Sequence, residues 1–357
     1  MFLRKLYSSE SLAKNVDVIG DIPDTRGLYS SFMKIAWPAI LESLLISLVG
    51  FVDSIMVSSC GTGAVASVGL TMQPRMLFYA VFFSLSVSVT AIVSRRKGQN
   101  DRDGANACLS QALTICILLV IVLGVVSFFV AEPLLYLAGA KEETIGNAVI
   151  YFRITMIGML FTAFGLVINS AQRGSGNTKV SLRTNIVANV TNIVFNYLLI
   201  NGVLFFPQLG VTGAAIATLL GNVASCAMSV YSLVPKDKFL DIRKLRLFRF
   251  DKAIIKTIGG ISAGAGVEQV FMRFGFFVFS MIIANLGTPE IATHTICMNV
   301  QNLSFSAGDG LSVAASALIG QYIGKKRPDL ATLYSKAGQR VGMVMSLVLI
   351  VALVFFG

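Results

Sequence analysis

Nine long apolar runs alternate along this chain with short polar connections: about 33–57, 69–94, 106–130, 146–169, 183–205, 211–234, 254–285, 291–320 and 337–357. Each reaches the length of about 20 residues that an α-helix needs to cross the hydrocarbon of a bilayer. The runs lack the alternation over about ten residues that marks an outer-membrane strand. In lipid every backbone N–H and C=O must be satisfied within the spanning structure, so helices are predicted throughout. The pattern therefore predicts an all-α polytopic membrane protein.

Composition agrees. The 357 residues are 55% hydrophobic and only 13% charged, against about 25% charged in an ordinary soluble domain. The net charge of +11 raises the question of nucleic acid, which the distribution answers. With the N-terminus placed inside, the connections on that side hold 25 of the 29 Lys and Arg residues, and the predicted outer loops hold only Lys141. Arg75, Arg153 and Arg273 fall in or beside spans. This is the positive-inside pattern of a membrane protein, so nucleic-acid binding is not expected. The same alternation supports the span count. Residues 1–27 are mixed polar and charged, without a cleavable signal peptide, as for a cytoplasmic tail. The basic connection at 235–256 is expected either on the membrane surface, drawn to anionic headgroups, or in water as a solvated loop. Cys60, Cys108, Cys116, Cys226 and Cys297 show no metal-like spacing and are read as reduced, packed thiols.

Shifting the chain by 226 residues aligns Gly61-Thr62 with Gly287-Thr288, Met72 with Met298, and Val87–Gly98 with Val313–Gly324. The match needs no gap. It also carries Glu42 onto Glu268, two carboxylates well inside the first span of each copy. Six spans precede the basic connection, an even number, so both copies enter the membrane in the same direction. This is a parallel repeat with its axis along the membrane normal. The expected organisation is a tail at 1–30, an N-lobe of six helices at 31–234, a basic linker at 235–253 and a partial C-lobe of three helices at 254–357. A complete second lobe would need three more helices, so a truncated second lobe is expected, with about nine of twelve helices present.

Several stretches resemble the multidrug and toxic compound extrusion (MATE) family. They are Trp37-Pro38 followed by Gly50-Phe51-Val52-Asp53, then Gly61–Leu70, Gln172–Lys179, Asn192–Asn196 and Gly210–Thr218. Their order and spacing over about 30–357 carry the resemblance. It implies two six-helix lobes around a central cleft, and antiport of a small-molecule substrate against Na⁺ or H⁺. No cofactor beyond that coupling ion is implied, and a monomer in the cytoplasmic or plasma membrane is expected.

Asp53 is ionisable inside the outer part of the first span, where a charge costs roughly 2.5–3.5 kcal/mol on insertion scales. The functional reading is a carboxylate that binds Na⁺ or a proton; the bland one is a hydrated or structurally paired group near the interface. Asn185, Asn189, Asn192 and Asn196 share one face of the fifth span. By the resemblance, Asn192 and Asn196 belong to the ion site, and Thr218 would add a hydroxyl oxygen. Such an all-oxygen set suits a hard cation. The alternative for all three is interhelical packing. Glu42 and Glu268 are read as anionic cavity walls or proton carriers, against a plain intramembrane salt bridge. Asp309, between Gly308 and Gly310, and Arg75, after Pro74, are further cavity candidates. His294 is read as a packing or surface residue. Carboxylates outnumber arginines among these span residues, which favours lipophilic cations as substrates. The rival reading is a flippase for a lipid-linked oligosaccharide, which would need a strongly cationic cavity. The sequence holds no nucleophile elbow, paired histidines or metal cluster, so enzymatic chemistry is not expected.

Overall fold

The computed structural model describes residues 7–14, 16–203, 206–235, 238–284 and 288–356, with the side chains of 283–300, 302–304 and some single positions outside the description. His294 and Cys297 are among these. A short α1 (Ser9–Ala13) precedes six long helices: α2 (Thr25–Ser58), α3 (Thr62–Gly98), α4 (Arg102–Leu137), α5 (Glu142–Gly174), α6 (Thr178–Asn201) and α7 (Val211–Tyr231). A 3₁₀ turn at Ile242–Lys244 follows, then α8 (Lys252–Ala284), α9 (Thr288–Gly324) and α10 (Pro328–Phe356). Each predicted span overlaps one of these helices, and those at 183–205 and 211–234 extend beyond the helix ends at Asn201 and Tyr231. Among the described residues, five segments are long and apolar enough to cross a membrane: Thr25–Leu48, Gly63–Gly98, Arg102–Leu137, Glu142–Gly174 and Val211–Tyr231. Large apolar side chains such as Leu118, Ile121, Val122, Phe129, Phe271, Phe274 and Leu347 lie exposed on the outside of the bundle. That is the surface lipid requires.

The repeat is visible in the backbone. Shifted by 226 positions, α3 lands on 288–324, the bounds of α9, and α2 lands within one residue of α8. The packing repeats as well. A Cβ added to Gly310 of α9 would lie 2.5 Å from Ile40 Cα of α2, and one added to Gly266 of α8 would lie 3.6 Å from Ser84 Oγ of α3. Gly310 is the repeat mate of Ser84, and Gly266 that of Ile40. On the axis itself, the ends of α3 and α9 touch backbone to backbone. A Cβ on Gly98 would meet the Gln321 carbonyl oxygen at 1.9 Å, and one on its mate Gly324 would meet the Arg95 carbonyl oxygen at 2.1 Å. Only glycine fits a contact this close.

Two segments outside the long helices are docked on the bundle. The basic linker exposes the side chains of Arg243, Lys244, Arg246 and Arg249, while its backbone is fixed. Its backbone is held along α4 by a polar stripe at helical spacing: Asp241 N–H donates to Asn106 Oδ1 (2.9 Å), Arg246 N–H to Ser110 Oγ (2.8 Å) and Phe248 N–H to Thr114 Oγ1 (3.1 Å). Phe239, Leu240, Ile242 and Leu245 pack into the core formed by α3, α4 and α5. Backbone donors that leave water need partners, and α4 supplies them at every turn. The N-terminal tail is likewise docked. Leu12 is buried with Leu333, Tyr334 and Ala337 of α10, and Lys336 Nζ donates to the Leu12 carbonyl at 3.0 Å.

Candidate functional site

The hairpin of α6 and α7 is closed by Gly202, which takes the left-handed conformation (φ 67°) that ends α6. Small residues then bring the two helices together. A Cβ on Gly213 would lie 2.6 Å from the Leu199 carbonyl oxygen, and one on Gly221 2.9 Å from that of Ala188. This approach sets Thr218 of α7 against Asn192 of α6. Asn192 Nδ2 donates to Thr218 Oγ1 at 3.4 Å, and Asn196 Nδ2 donates to Asn192 Oδ1 at 3.2 Å and to Asp53 Oδ1 at 2.7 Å. The four residues read from the sequence as an ion site thus form one continuous chain across α2, α6 and α7. Asn192 and Asn196 are buried, and Asn196 Oδ1 has no hydrogen-bond partner. An unpartnered amide oxygen beside a carboxylate, with two more oxygens in the chain, fits a small hard cation or a proton.

Glu42 enters a different network. Its Oε1 accepts from Arg173 Nη1 of α5 at 3.1 Å and from Asn185 Nδ2 of α6 at 2.9 Å. Arg173 Nη2 continues to Ser170 Oγ at 2.8 Å. Glu42 is buried, and its Oε2 is unpartnered. The geometry is that of a buried ion pair. Its repeat mate Glu268 is exposed on α8. Arg75 Nε is buried without a partner, and its guanidinium lies 5.6 Å from the centre of the Tyr151 ring. Asp309 lies within electrostatic reach of Arg273, whose guanidinium in turn sits 5.9 Å from the Phe83 ring. Among the described residues, Glu268 and Asp309 join neither the Asp53 chain nor the Glu42 network, whereas Arg75 lies within electrostatic reach of Asp53.

A cavity of about 680 Å³ lies between α3, α5, α8 and α9. It is centred on the repeat axis, because Ser86, Val87 and Thr90 of α3 face it together with their mates Ser312, Val313 and Ser316 of α9. At its basic end it is lined by Arg95, Arg96 and Gln99, and Arg173 borders it from α5. Its size is that of a pocket for a drug-sized molecule. The sequence reading counted these arginines only as orientation signals. The one signal that could have found them is the repeat, which pairs the hydroxyl positions of α3 and α9 across an axis.

The MatE family signature matches residues 38–198 and 265–357, most of the chain. The chain belongs to the MatE family. Its members are membrane transporters, so the protein is a multi-pass transporter of that kind rather than an enzyme. The chain is 26% identical over 314 residues to the probable multidrug resistance protein NorM of Thermotoga maritima, covering 88% of this chain and 67% of that one. It is 25% identical over 301 residues to the uncharacterized transporter YisQ of Bacillus subtilis, covering 84% of this chain and 66% of YisQ. The chain thus spans about two thirds of the length of these relatives. A crystal structure of a MATE protein in complex with MaL6 superposes with a TM-score of 0.84 at 22% identity, over 92% of this chain and 72% of the other. The fold is therefore that of MATE transporters.

Proposed function

We propose that this protein works as a secondary active antiporter, exporting amphipathic small molecules in exchange for Na⁺ or H⁺ by alternating access. The observation that carries this reading is the chain Asp53–Asn196–Asn192–Thr218 with its unpartnered amide oxygen. Na⁺ or H⁺ at Asp53 would replace the hydrogen bond from Asn196 and change how α2 packs on α6. A bound ion shifts a conformational equilibrium only through its different affinity for the two states. Ion and substrate would favour different states, which couples their movements. The basic end of the bundle, with the N-terminus, faces the cytoplasm in this reading. The expectation of cationic substrates has less support than the sequence suggested, because Glu42 is engaged by Arg173 and Asn185. The guanidiniums along the cavity favour the second reading, a lipid-linked oligosaccharide flippase, more than the sequence did.

The test is efflux from proteoliposomes loaded with a fluorescent amphiphile, under a Na⁺ gradient and under a pH gradient applied separately. Efflux driven by one gradient and lost in Asp53→Asn identifies the coupling ion. Coupled efflux that persists unchanged in Asp53→Asn removes the proposal.

A further inference from the structure

The cavity on the repeat axis is chemically one-sided. Its polar lining consists of Arg95, Arg96 and Arg173, the hydroxyls of Ser86, Thr90, Thr257, Ser312 and Ser316, and the amide of Gln99. No carboxylate is among the described lining residues. Two of the three guanidiniums are already engaged: Arg173 with Glu42, and Arg96 Nη1 with Asp101 Oδ2 at 2.8 Å. Arg95 forms no ion pair among the described residues. It stands exposed at the mouth, next to the backbone contact in which Gly324 meets its carbonyl oxygen. Deeper in, the wall between the hydroxyls is apolar: Val87, Ala91, Ile92, Ile261, Val313, Ile319 and Ile323. One guanidinium without an ion pair, a row of hydroxyls and an apolar floor match a molecule with an anionic group at one end and an apolar body at the other. A guanidinium binds carboxylate or phosphate oxygens through a rigid fork, which a lysine does not reproduce. A lipophilic cation entering the same space would meet the unpaired charge of Arg95 and no carboxylate among the described lining residues.

We propose that this cavity binds the anionic group of an amphipathic organic anion, a carboxylate or phosphate, with Arg95 as the residue that contacts it. The proposal deepens the export reading by naming the substrate class, and rests on it only for the direction of transport. Binding itself needs no gradient, so the two fail separately. The same chemistry has two sources: a soluble amphiphile, or the headgroup of an anionic lipid in the adjacent leaflet.

The experiment is fluorescence anisotropy of carboxyfluorescein, an aromatic carboxylate, and of rhodamine 6G, a lipophilic cation, on the whole chain in nanodiscs of neutral lipid. Carboxyfluorescein is expected to bind more tightly. Arg95→Gln should weaken it about tenfold, the loss of one charge-assisted hydrogen-bonded contact, with Arg95→Lys weakened less. Rhodamine 6G binding should be unchanged or strengthened in Arg95→Gln. Repeating the titration with phosphatidylglycerol in the disc assigns the source: competition points to a lipid headgroup, and no competition to a soluble amphiphile. Tighter binding of rhodamine 6G than of carboxyfluorescein, or carboxyfluorescein binding indifferent to Arg95→Gln, overturns the proposal even if gradient-driven efflux is observed. Carboxyfluorescein binding lost in Arg95→Gln, without gradient-driven efflux, upholds the site and removes the antiporter.

Discussion

The two copies of the repeat share a backbone and differ in chemistry. The first copy, α2–α3, carries Glu42 in a buried ion pair and Asp53 in a hydrogen-bonded chain. The second, α8–α9, has Glu268 exposed at the first position and Phe279 at the second. The serine pair that bonds α3 to α8, Ser88 Oγ to Ser262 Oγ at 2.7 Å, becomes the pair Ala314 and Ala36 where α9 meets α2, both fully buried. Helix bounds and the close glycine contact at the ends of α3 and α9 are thus held in common. Ionisable and hydroxyl groups are placed copy by copy. A repeated scaffold does not imply a repeated site: the carboxylates Glu42 and Asp53 are held in networks in the first copy, while the cavity between the copies is lined by both.

The largest expected effect separates Glu42 from Glu268. Arg173→Met leaves the Glu42 carboxylate buried beside a single amide donor, and unpairing a buried charge costs roughly 3–5 kcal/mol. The thermal unfolding midpoint of the protein in detergent should fall clearly. Glu268→Gln should change stability by less than about 0.5 kcal/mol, as for an exposed position, and leave the midpoint nearly where it was. Equal responses would mean that the two mates share an environment.

Next come the glycines on the axis. Gly98→Ala and Gly324→Ala each drive a methyl group into a backbone carbonyl, and overpacking of this kind costs about 1–3 kcal/mol. Gly264, where an added Cβ meets nothing within 4 Å, is the control. Gly264→Ala should be neutral or mildly stabilising in the same melt, since alanine is the better helix former. Indifference of both axial variants would show that α3 and α9 do not hold this contact in solution.

The smallest effect concerns the mates Asp103 and Asp329. Asp103 is exposed and bridged to Lys244 Nζ at 2.6 Å. Asp329 is buried at the start of α10, where Arg327 Nη2 at 2.8 Å and the backbone N–H of Ile19 at 3.2 Å hold its carboxyl well below the usual aspartate range. A depressed folded-state pKa contributes stability that is complete above the unfolded value, about 3.9, and is lost as pH falls through that value toward the folded one. The melting midpoint of Asp329→Asn should therefore lie below wild type at neutral pH and converge with it in acid. For Asp103→Asn the difference should be small at every pH, because exposed pairs contribute little. A pH-independent gap for Asp329→Asn would mean that its role is packing rather than charge.

The fold was largely legible in the sequence because its causes are local or periodic. Apolar run length fixes which segments span, and a constant offset of 226 survives in sequence as it does in the backbone. Part of the candidate site was legible too. Asn192 and Asn196 lie one helical turn apart on α6, and Asp53 could be found as a carboxylate in an apolar run. What brings Thr218 to Asn192 is the close approach of α7 allowed by Gly213 and Gly221, and that depends on which face of each helix meets the other.

The sequence by itself determined the helices, their alternation across the bilayer, the parallel repeat and the residue types able to hold an ion. Tertiary structure alone decided the partners. It gave Glu42 to Arg173, tied the basic linker to the polar stripe of α4, docked the N-terminal tail on α10, and turned arginines read as orientation signals into the wall of a cavity. The physical reason is range. Hydropathy and helical periodicity act along a segment, whereas hydrogen bonds and ion pairs act over about 3 Å between residues that the chain separates by scores of positions.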